Sequence, residues 1–319
     1  MPWQRPRYGH DTIDTAMRFT KMHGAGNDYV LLDARQQERD WSALALTLCD
    51  RHYGVGSDGL LLVAPSSVAD IRMRMYNPDG SEAEMCGNGI RCFAKYVLER
   101  EIVQASEGSL RVETGNGILD VLPLSDNGRI NRVRVHMGAP RFHAADIPIR
   151  LPEGEHGLQV DARSLNITDA LKDELDIGQI VAGYPVDVDG RRFRVTCVSM
   201  GNPHAVAFID EPVDQVPLHL LGPSVEHHPL FPQRVNFQIV NVEGRGALKA
   251  RTWERGAGLT LASGTGACAI HAAAHMLGLV DDTTQVHMPG GVLALTWPGS
   301  GQVTMEGPAE EVFEGEWNE

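Results

Sequence analysis

The sequence predicts a mixed α/β protein made of two pseudo-symmetric halves, with its working site in the cleft between them. Three observations carry that expectation. First, four separated segments repeat at one spacing, 263 − 86 = 177 residues. Leu31-Leu32-Asp33 falls on Phe208-Ile209-Asp210, Leu61-Leu62-Val63 on Gln238-Ile239-Val240, Met75-Tyr76-Asn77 on Thr252-Trp253-Glu254, and Cys86-Gly87-Asn88-Gly89 on Ser263-Gly264-Thr265-Gly266. Short apolar runs rarely share an offset by chance, so an internal repeat is the simpler reading. Second, each copy reads as several short strands with one helix of importance. Third, 319 residues, 42% of them hydrophobic and 22% charged, suffice for two ordinary cores.

Taken in order, residues 1–16 are polar and lack an apolar stretch, so they read as a loose extension, with folding expected to begin near Met17. Residues 17–132 form the first half. There FTKMHG, DYVLLD, GLLLV, IRMRMYN, LRVET and GILDVLP read as strands, with helices at about 40–50 and 88–100. Residues 133–306 form the second half, where FRVTCVS, HAVAFID, RVNFQIV, ALKARTW, TQVHM and GVLALTW repeat the pattern, with a helix at about 265–278. That helix, TGACAIHAAAHMLG, is nearly all small or apolar, which predicts enclosure by strands on most sides. The stretch 151–192, rich in Asp, Glu, Gly and Pro, reads as an elaborated surface connection with one short helix near 168–175.

Charge narrows the function classes. A net charge of −14 argues against nucleic acid or an anionic membrane as partner, since both reward clustered Lys and Arg. No apolar run approaches the roughly 20 residues of a membrane span. A small zwitterionic molecule is compatible. Cys49, Cys86, Cys92, Cys197 and Cys268 form no CxxC pair and no zinc-like cluster, so free thiols in a reducing cytoplasm are expected, and no metal.

Two motifs carry chemistry. Cys86-Gly87-Asn88-Gly89-Ile90-Arg91-Cys92 sets a thiol directly before a helix start, where unsatisfied N–H groups and the positive helix end lower a thiol's pKa and bind a carboxylate. Ser263-Gly264-Thr265-Gly266-Ala267-Cys268 repeats it with a hydroxyl. Alone, each is also an ordinary cap or a small core residue. As a facing pair at matched positions they would grip an α-carboxylate from both sides and set their leading side chains on opposite faces of the α-carbon.

The strings MHGAGNDYVLLD, RHYGVGSDGLLL, YNPDGSEAEMCGNGIRCFA, VSMGNPHAV, RVNFQIV and WERGAGLTLASGTGACA resemble diaminopimelate epimerase in order and spacing, from about Phe19 to the C-terminus. The resemblance implies two α/β halves, each a strand barrel around a central helix, with the last strand, about 307–319, returning to the first half. It implies a cofactor-independent isomerase that moves the α-proton of a small amino-acid substrate, a homodimer, and no metal, pyridoxal phosphate or nucleotide. Carried over position by position, it makes Cys86 the first catalytic residue and assigns the carboxylate grip to Gly87, Asn88, Gly264 and Thr265. It gives substrate-binding roles to Asn27, Asn77, Asn202, Asn236, Glu254 and Arg255, and places His204 and Glu254 beside the catalytic pair. Under the constant offset Asn27 mirrors His204 and Asn77 mirrors Glu254.

The chain departs from the family at one catalytic position: the second cysteine is Ser263 here. Epimerisation needs a base on one face and an acid on the other, and a thiol serves either need more readily than an unassisted hydroxyl. Three activities stay open on the sequence: diaminopimelate epimerisation with Ser263 assisted by His204 or Glu254; a related racemase, isomerase or dehydratase on another amino acid; or a binding homologue that keeps the carboxylate grip without efficient turnover.

Overall fold

Val30-Leu31-Leu32 and Leu60-Leu61-Leu62-Val63 are apolar at every position, a pattern that strands adopt when both sheet faces are covered. The computed structural model describes residues 16–83, 86–172 and 175–318, so the expected extension at 1–16 lies almost wholly outside the described residues. The first half runs β1 (Met17–Gly24), β2 (Asn27–Asp33), α1 (Trp41–Leu48), β3 (Gly59–Ala64), β4 (Ile71–Tyr76), β5 (Glu82–Ala83), α2 (Gly87–Glu99), β6 (Leu110–Thr114), β7 (Gly117–Asp126) and β8 (Arg129–His136). The second half follows a short helix α3 (Asp169–Lys172) with β9 (Tyr184–Val188), β10 (Arg191–Ser199), β11 (Pro203–Phe208), α4 (Leu218–Glu226), β12 (Asn236–Gly244) and β13 (Ala247–Glu254). It continues through β14 (Gly258–Thr260), α5 (Gly264–Met276), β15 (Thr283–Met288), β16 (Gly291–Thr296) and β17 (Thr304–Pro308), and the chain ends in β18 (Glu310–Trp317).

The two halves have the same strand order. In the first, β18, β1, β2, β3, β4, β6, β7 and β8 pair in sequence around α2, with β5 as a flap on β4. In the second, β9, β10, β11, β12, β13, β15, β16 and β17 pair around α5, with β14 on β13. The parallel pairs also correspond: β2 with β3 and β4 with β6, against β11 with β12 and β13 with β15. An antiparallel pair of β8 and β17 joins the halves, and β18 crosses back to β1.

Alternation sorts the side chains. Leu31, Leu61 and Val63 point inward to Ile90, Phe93 and Val97 of α2, in a core that continues into the Ala-rich α5. Val30, Leu32, Leu60 and Leu62 point outward to Trp41, Leu44 and Leu48 of α1. In the second half Val195, Ala205, Ala207, Phe237 and Ile239 meet Leu218, Leu221 and Val225 of α4. Enclosure of α5 is nearly total: twelve of its thirteen residues are buried. Its small side chains let strands approach it from all around.

Three expectations change. The repeat spacing is not constant: 177 holds from β3 through α2, since Leu60 faces Tyr76 and Phe237 faces Trp253, but β6 maps onto β15 at 286 − 112 = 174, since Ile71 lies opposite Val112 and Leu248 opposite Val286. In the preceding parallel pairs, however, Tyr29 lies opposite Gly59 and His204 opposite Asn236, so β2 maps onto β11 at 204 − 29 = 175. Tyr29, not Asn27, is the counterpart of His204, and Asn27 matches Asn202. Leu31-Leu32-Asp33 therefore corresponds to Val206-Ala207-Phe208. The cause is a second-half connection, carrying α4, that is two residues longer than the one carrying α1. The 151–192 stretch is also less peripheral than expected: Ile180, Val181, Ala182, Tyr184, Val186 and Val188 are buried, and β9 pairs along β10. Finally, α4 is not among the expected elements; Pro223 inside it and Pro217 before it weaken a helical pattern there.

Candidate active site

Two helix tips meet at the join between the halves. Cys86 caps α2, its sulfur 3.4 Å from the Gly89 N–H, and Ser263 caps α5, its hydroxyl 3.2 Å from the Gly266 N–H. Both caps are extended, with φ/ψ of −142/116 and −132/121. Close approach needs the glycines that follow them. A Cβ on Gly264 would stand 3.2 Å from the Gly87 Cα, and one on Gly87 would stand 3.4 Å from the Gly264 Cα. The first-turn amides of both helices lack intrahelical acceptors, so two positive helix ends face one cavity of about 280 Å³. Cys86, Gly87, Asn88, Ser263, Gly264 and Thr265 all line it, with Asn27, Asn202 and Glu254.

On the Cys86 side the sulfur lies 2.8 Å from the hydroxyl of Tyr29, a wholly buried residue of β2, and the same hydroxyl is hydrogen-bonded to Asn27 Oδ1. The Asn27 amide is oriented by its other end, since Nδ2 donates to Asp58 Oδ2 at 2.6 Å, and Asp58 is held by Arg51 at 2.7 Å. Arg91, fully buried inside α2, donates to Gly87 O at 2.9 Å and to Asn88 Oδ1 at 2.8 Å, which leaves the Asn88 Nδ2 directed at Asn27 Oδ1. The thiol pKa departs from the expectation. Burial raises it, and the Tyr29 hydroxyl with the Gly89 and Asn88 N–H groups pulls it only part of the way back. Cys86 thus rests as a thiol at neutral pH.

On the other side Ser263 Oγ donates to Glu254 Oε2 at 2.9 Å, and Thr260 Oγ1 donates to Glu254 Oε1 at 2.7 Å. Burial raises the Glu254 carboxyl above its ordinary range, against the lowering by these two donors. The hydroxyl therefore has a proton acceptor at hydrogen-bond distance, and of the two assistants expected for it, His204 and Glu254, the carboxylate is the one in contact.

The remaining carried-over residues separate into two groups. Asn202 Nδ2 donates to Thr265 Oγ1 at 3.3 Å, and its Oδ1 is 2.9 Å from His204 Nε2. His204 is fully buried beside Gln238, at 3.0 Å, and burial pushes its pKa down to about 3. It reaches the cavity only through Asn202. Asn77, Asn236 and Arg255 line an adjoining wider cavity of about 1240 Å³ that also reaches Asn27, Asn202 and Glu254. The Asn236 amide is occupied by backbone, donating to Pro203 O at 2.9 Å and accepting from Arg255 N at 2.9 Å. Asn116, Met200 and Ala262 also line the smaller cavity. Sequence reading missed them; for Asn116 a signal existed, the Gly115-Asn116-Gly117 turn between β6 and β7. His271 and His275 stand four apart on α5, a spacing some metal sites use, but His271 Nδ1 is paired with Thr284 Oγ1 at 2.7 Å and His275 Nε2 with Asp282 Oδ1 at 3.0 Å.

Comparison with known proteins bears on this geometry. A family profile described as diaminopimelate epimerase matches residues 19–143 and 196–312. The chain is 44% identical over 304 residues to a diaminopimelate epimerase of Pelotomaculum thermopropionicum, covering 94% of this chain and 99% of that protein. It is 45% identical over 303 residues to that of Acetivibrio thermocellus, covering 94% and 98%. Among solved structures, a hydroxyproline epimerase from Agrobacterium vitis superposes with a TM-score of 0.63 at 15% identity, covering 95% of this chain and 93% of that one. A phenazine biosynthesis protein of the PhzF family from Bacillus anthracis gives 0.61 at 18%, covering 95% and 99%. At those identities the structures share the two-half fold alone.

Proposed function

The chain belongs to the diaminopimelate epimerase family, and on that premise we propose that it interconverts LL-2,6-diaminopimelate and meso-diaminopimelate by proton transfer at the α-carbon. The observation that carries the reading to this particular chain is the hydrogen bond from Ser263 to Glu254. It supplies the hydroxyl with the activation that a second thiol would not have needed.

The reacting α-carboxylate sits between the tips of α2 and α5, where the amides of Gly87, Asn88, Gly264 and Thr265 stabilise charge that develops as the α-proton leaves. For one isomer, Ser263 Oγ takes the α-proton as its own proton passes to Glu254, and the Cys86 thiol delivers a proton to the opposite face. The site is then a thiolate and a protonated carboxyl. For the other isomer that state runs the same steps in reverse: the thiolate removes the proton, and Glu254 returns one through Ser263. His204, neutral and buried, positions Asn202 through its ring N–H and transfers no proton in the reaction. Asn27, Asn77, Asn202, Asn236 and Arg255 bound the space for the distal amino-acid end. The substrate is a small free molecule. Five free cysteines fit a reducing compartment, and a cytoplasmic homodimer is the proposed working form.

Incubating the purified protein with LL-diaminopimelate and resolving the stereoisomers tests the assignment. Appearance of the meso form, and its loss in Cys86→Ala with an unchanged melting temperature, is the expected result. No interconversion by the unaltered chain, with retained amino-acid binding, would leave a binding protein instead.

A further inference from the structure

The Tyr29 hydroxyl carries one proton and touches two acceptors, Asn27 Oδ1 and Cys86 Sγ, the latter at 2.8 Å. The amide cannot turn to offer its nitrogen, because Asn27 Nδ2 is fixed on Asp58 at 2.6 Å. When Cys86 is a thiol, S–H can donate to the phenol oxygen while the phenol donates to Asn27. When Cys86 is a thiolate, only a donor satisfies it. Asn27 Oδ1 then still accepts from Asn88 Nδ2 at 3.3 Å, so no buried acceptor is left bare.

We propose that Tyr29 is a positioning residue of the reaction, a hydroxyl rotor that donates to Asn27 while Cys86 holds its proton and swings to the sulfur when that proton leaves. The inference rests on Cys86 being a proton carrier. It also accounts for the register. Tyr29 is the structural counterpart of His204, and each grips the asparagine two residues before it, Asn27 or Asn202. On the serine side that position holds a neutral ring that only orients; on the thiol side it holds a hydroxyl that reaches the proton carrier itself.

Among the described residues, the other charged or ionisable groups near the pair do not supply this donor. Arg91 on α2 is spent on Gly87 O, Asn88 Oδ1 and Pro308 O. Cys92 on the same helix is pushed up to about 12 by burial and stays protonated. Asp58, ahead of β3, is held by Arg51, and Glu254 on β13 opposes ionisation of Cys86. Tyr29 has no exposed surface and is itself driven far toward the protonated form by burial, so it donates without ionising.

The test is Tyr29→Phe, which keeps the ring and removes the donor. In substrate-free protein, the pH dependence of Cys86 alkylation by iodoacetamide, with Cys86→Ala as background, should move up by about one unit, roughly a tenfold slower reaction at neutral pH. Epimerisation should fall about tenfold or more in both directions, with KM changed by less than about twofold. Coincident alkylation profiles overturn the proposal. Because alkylation needs no substrate, a shifted profile in a protein that does not epimerise keeps Tyr29 and removes the epimerase reading. Epimerisation with coincident profiles removes Tyr29 alone. Should Tyr29→Phe fail to fold, replacing tyrosine by 3-fluorotyrosine strengthens the donor with little change of shape. The alkylation midpoint should then fall, and an unmoved midpoint is again fatal to the proposal.

Discussion

At the scale of single residues the site is asymmetric, and the asymmetry fixes its pH response. Turnover needs one proton shared across the pair, so that one face gives as the other takes. Burial raises Glu254 above the ordinary carboxylate value of 4.5, so kcat/KM should fall as pH drops through a point above that value. Burial also raises Cys86 above 9.0, so the alkaline limb should lie above 9.0, where the thiol proton is lost. Both limbs should appear alike from either isomer, because kcat/KM in the two directions is tied by the equilibrium constant. A measured acid limb at or below 4.5 would take Glu254 out of the relay. Ser263→Cys should raise the rate, by roughly tenfold, because a thiol ionises without a relay. Glu254→Gln should accordingly cost much less in the Ser263→Cys background than in the native chain. Equal losses in both backgrounds would mean that Glu254 serves binding rather than proton transfer.

At the scale of elements, α2 and α5 present their tips to one another because Gly87 and Gly264 have no side chains to hold them apart. Met305 of β17 packs against both, so the contact has no slack. Gly264→Ala should destabilise the fold by about 1–3 kcal/mol through overpacking. It should lower turnover by more than about tenfold, because displacing the amides spoils the carboxylate grip. Thermal melts and initial rates check both. Gly244→Ala, where an added Cβ meets nothing within 4 Å, should leave the rate unchanged. Equal effects at the two glycines would show that contact between the tips is not what matters. The helix positions were legible in sequence: the regions expected at about 88–100 and 265–278 are α2 at Gly87–Glu99 and α5 at Gly264–Met276. Their caps mark the starts plainly. By contrast α4 was hidden, since two prolines outweigh a weak apolar stripe in any local reading.

At the scale of the whole molecule, two similar sheets are tied at β8 and β17, and the chain closes by laying β18 along β1. Phe313 packs edge-on against Phe19, with ring centroids 5.9 Å apart, and Trp317 covers the outer core of the first half. A chain ending at Ala309 would bare the edge of β1. It should lose on the order of 3 kcal/mol of stability and self-associate through that edge. Calorimetry and light scattering measure the two effects, and an unshifted melt with a monodisperse solution would make β18 dispensable.

The sequence by itself determined the duplication, the two capping motifs, and which residues stand at the helix tips, because those features are local: a cap, a glycine and an apolar run keep their meaning wherever the chain goes. It misplaced one correspondence, pairing Asn27 with His204, because a spacing read along the chain cannot see two residues added to a loop, whereas strand register can. Tertiary structure decided which groups touch those tips, choosing Glu254 over His204 for Ser263 and adding Tyr29 for Cys86. The carboxylate beside Ser263 comes from β13, nine residues away, and the phenol beside Cys86 from β2, fifty-seven residues away. Burial then reversed the expected depression of the thiol pKa, since the cost of desolvating a charge depends on everything packed around it, while the pull of a helix end depends only on the helix.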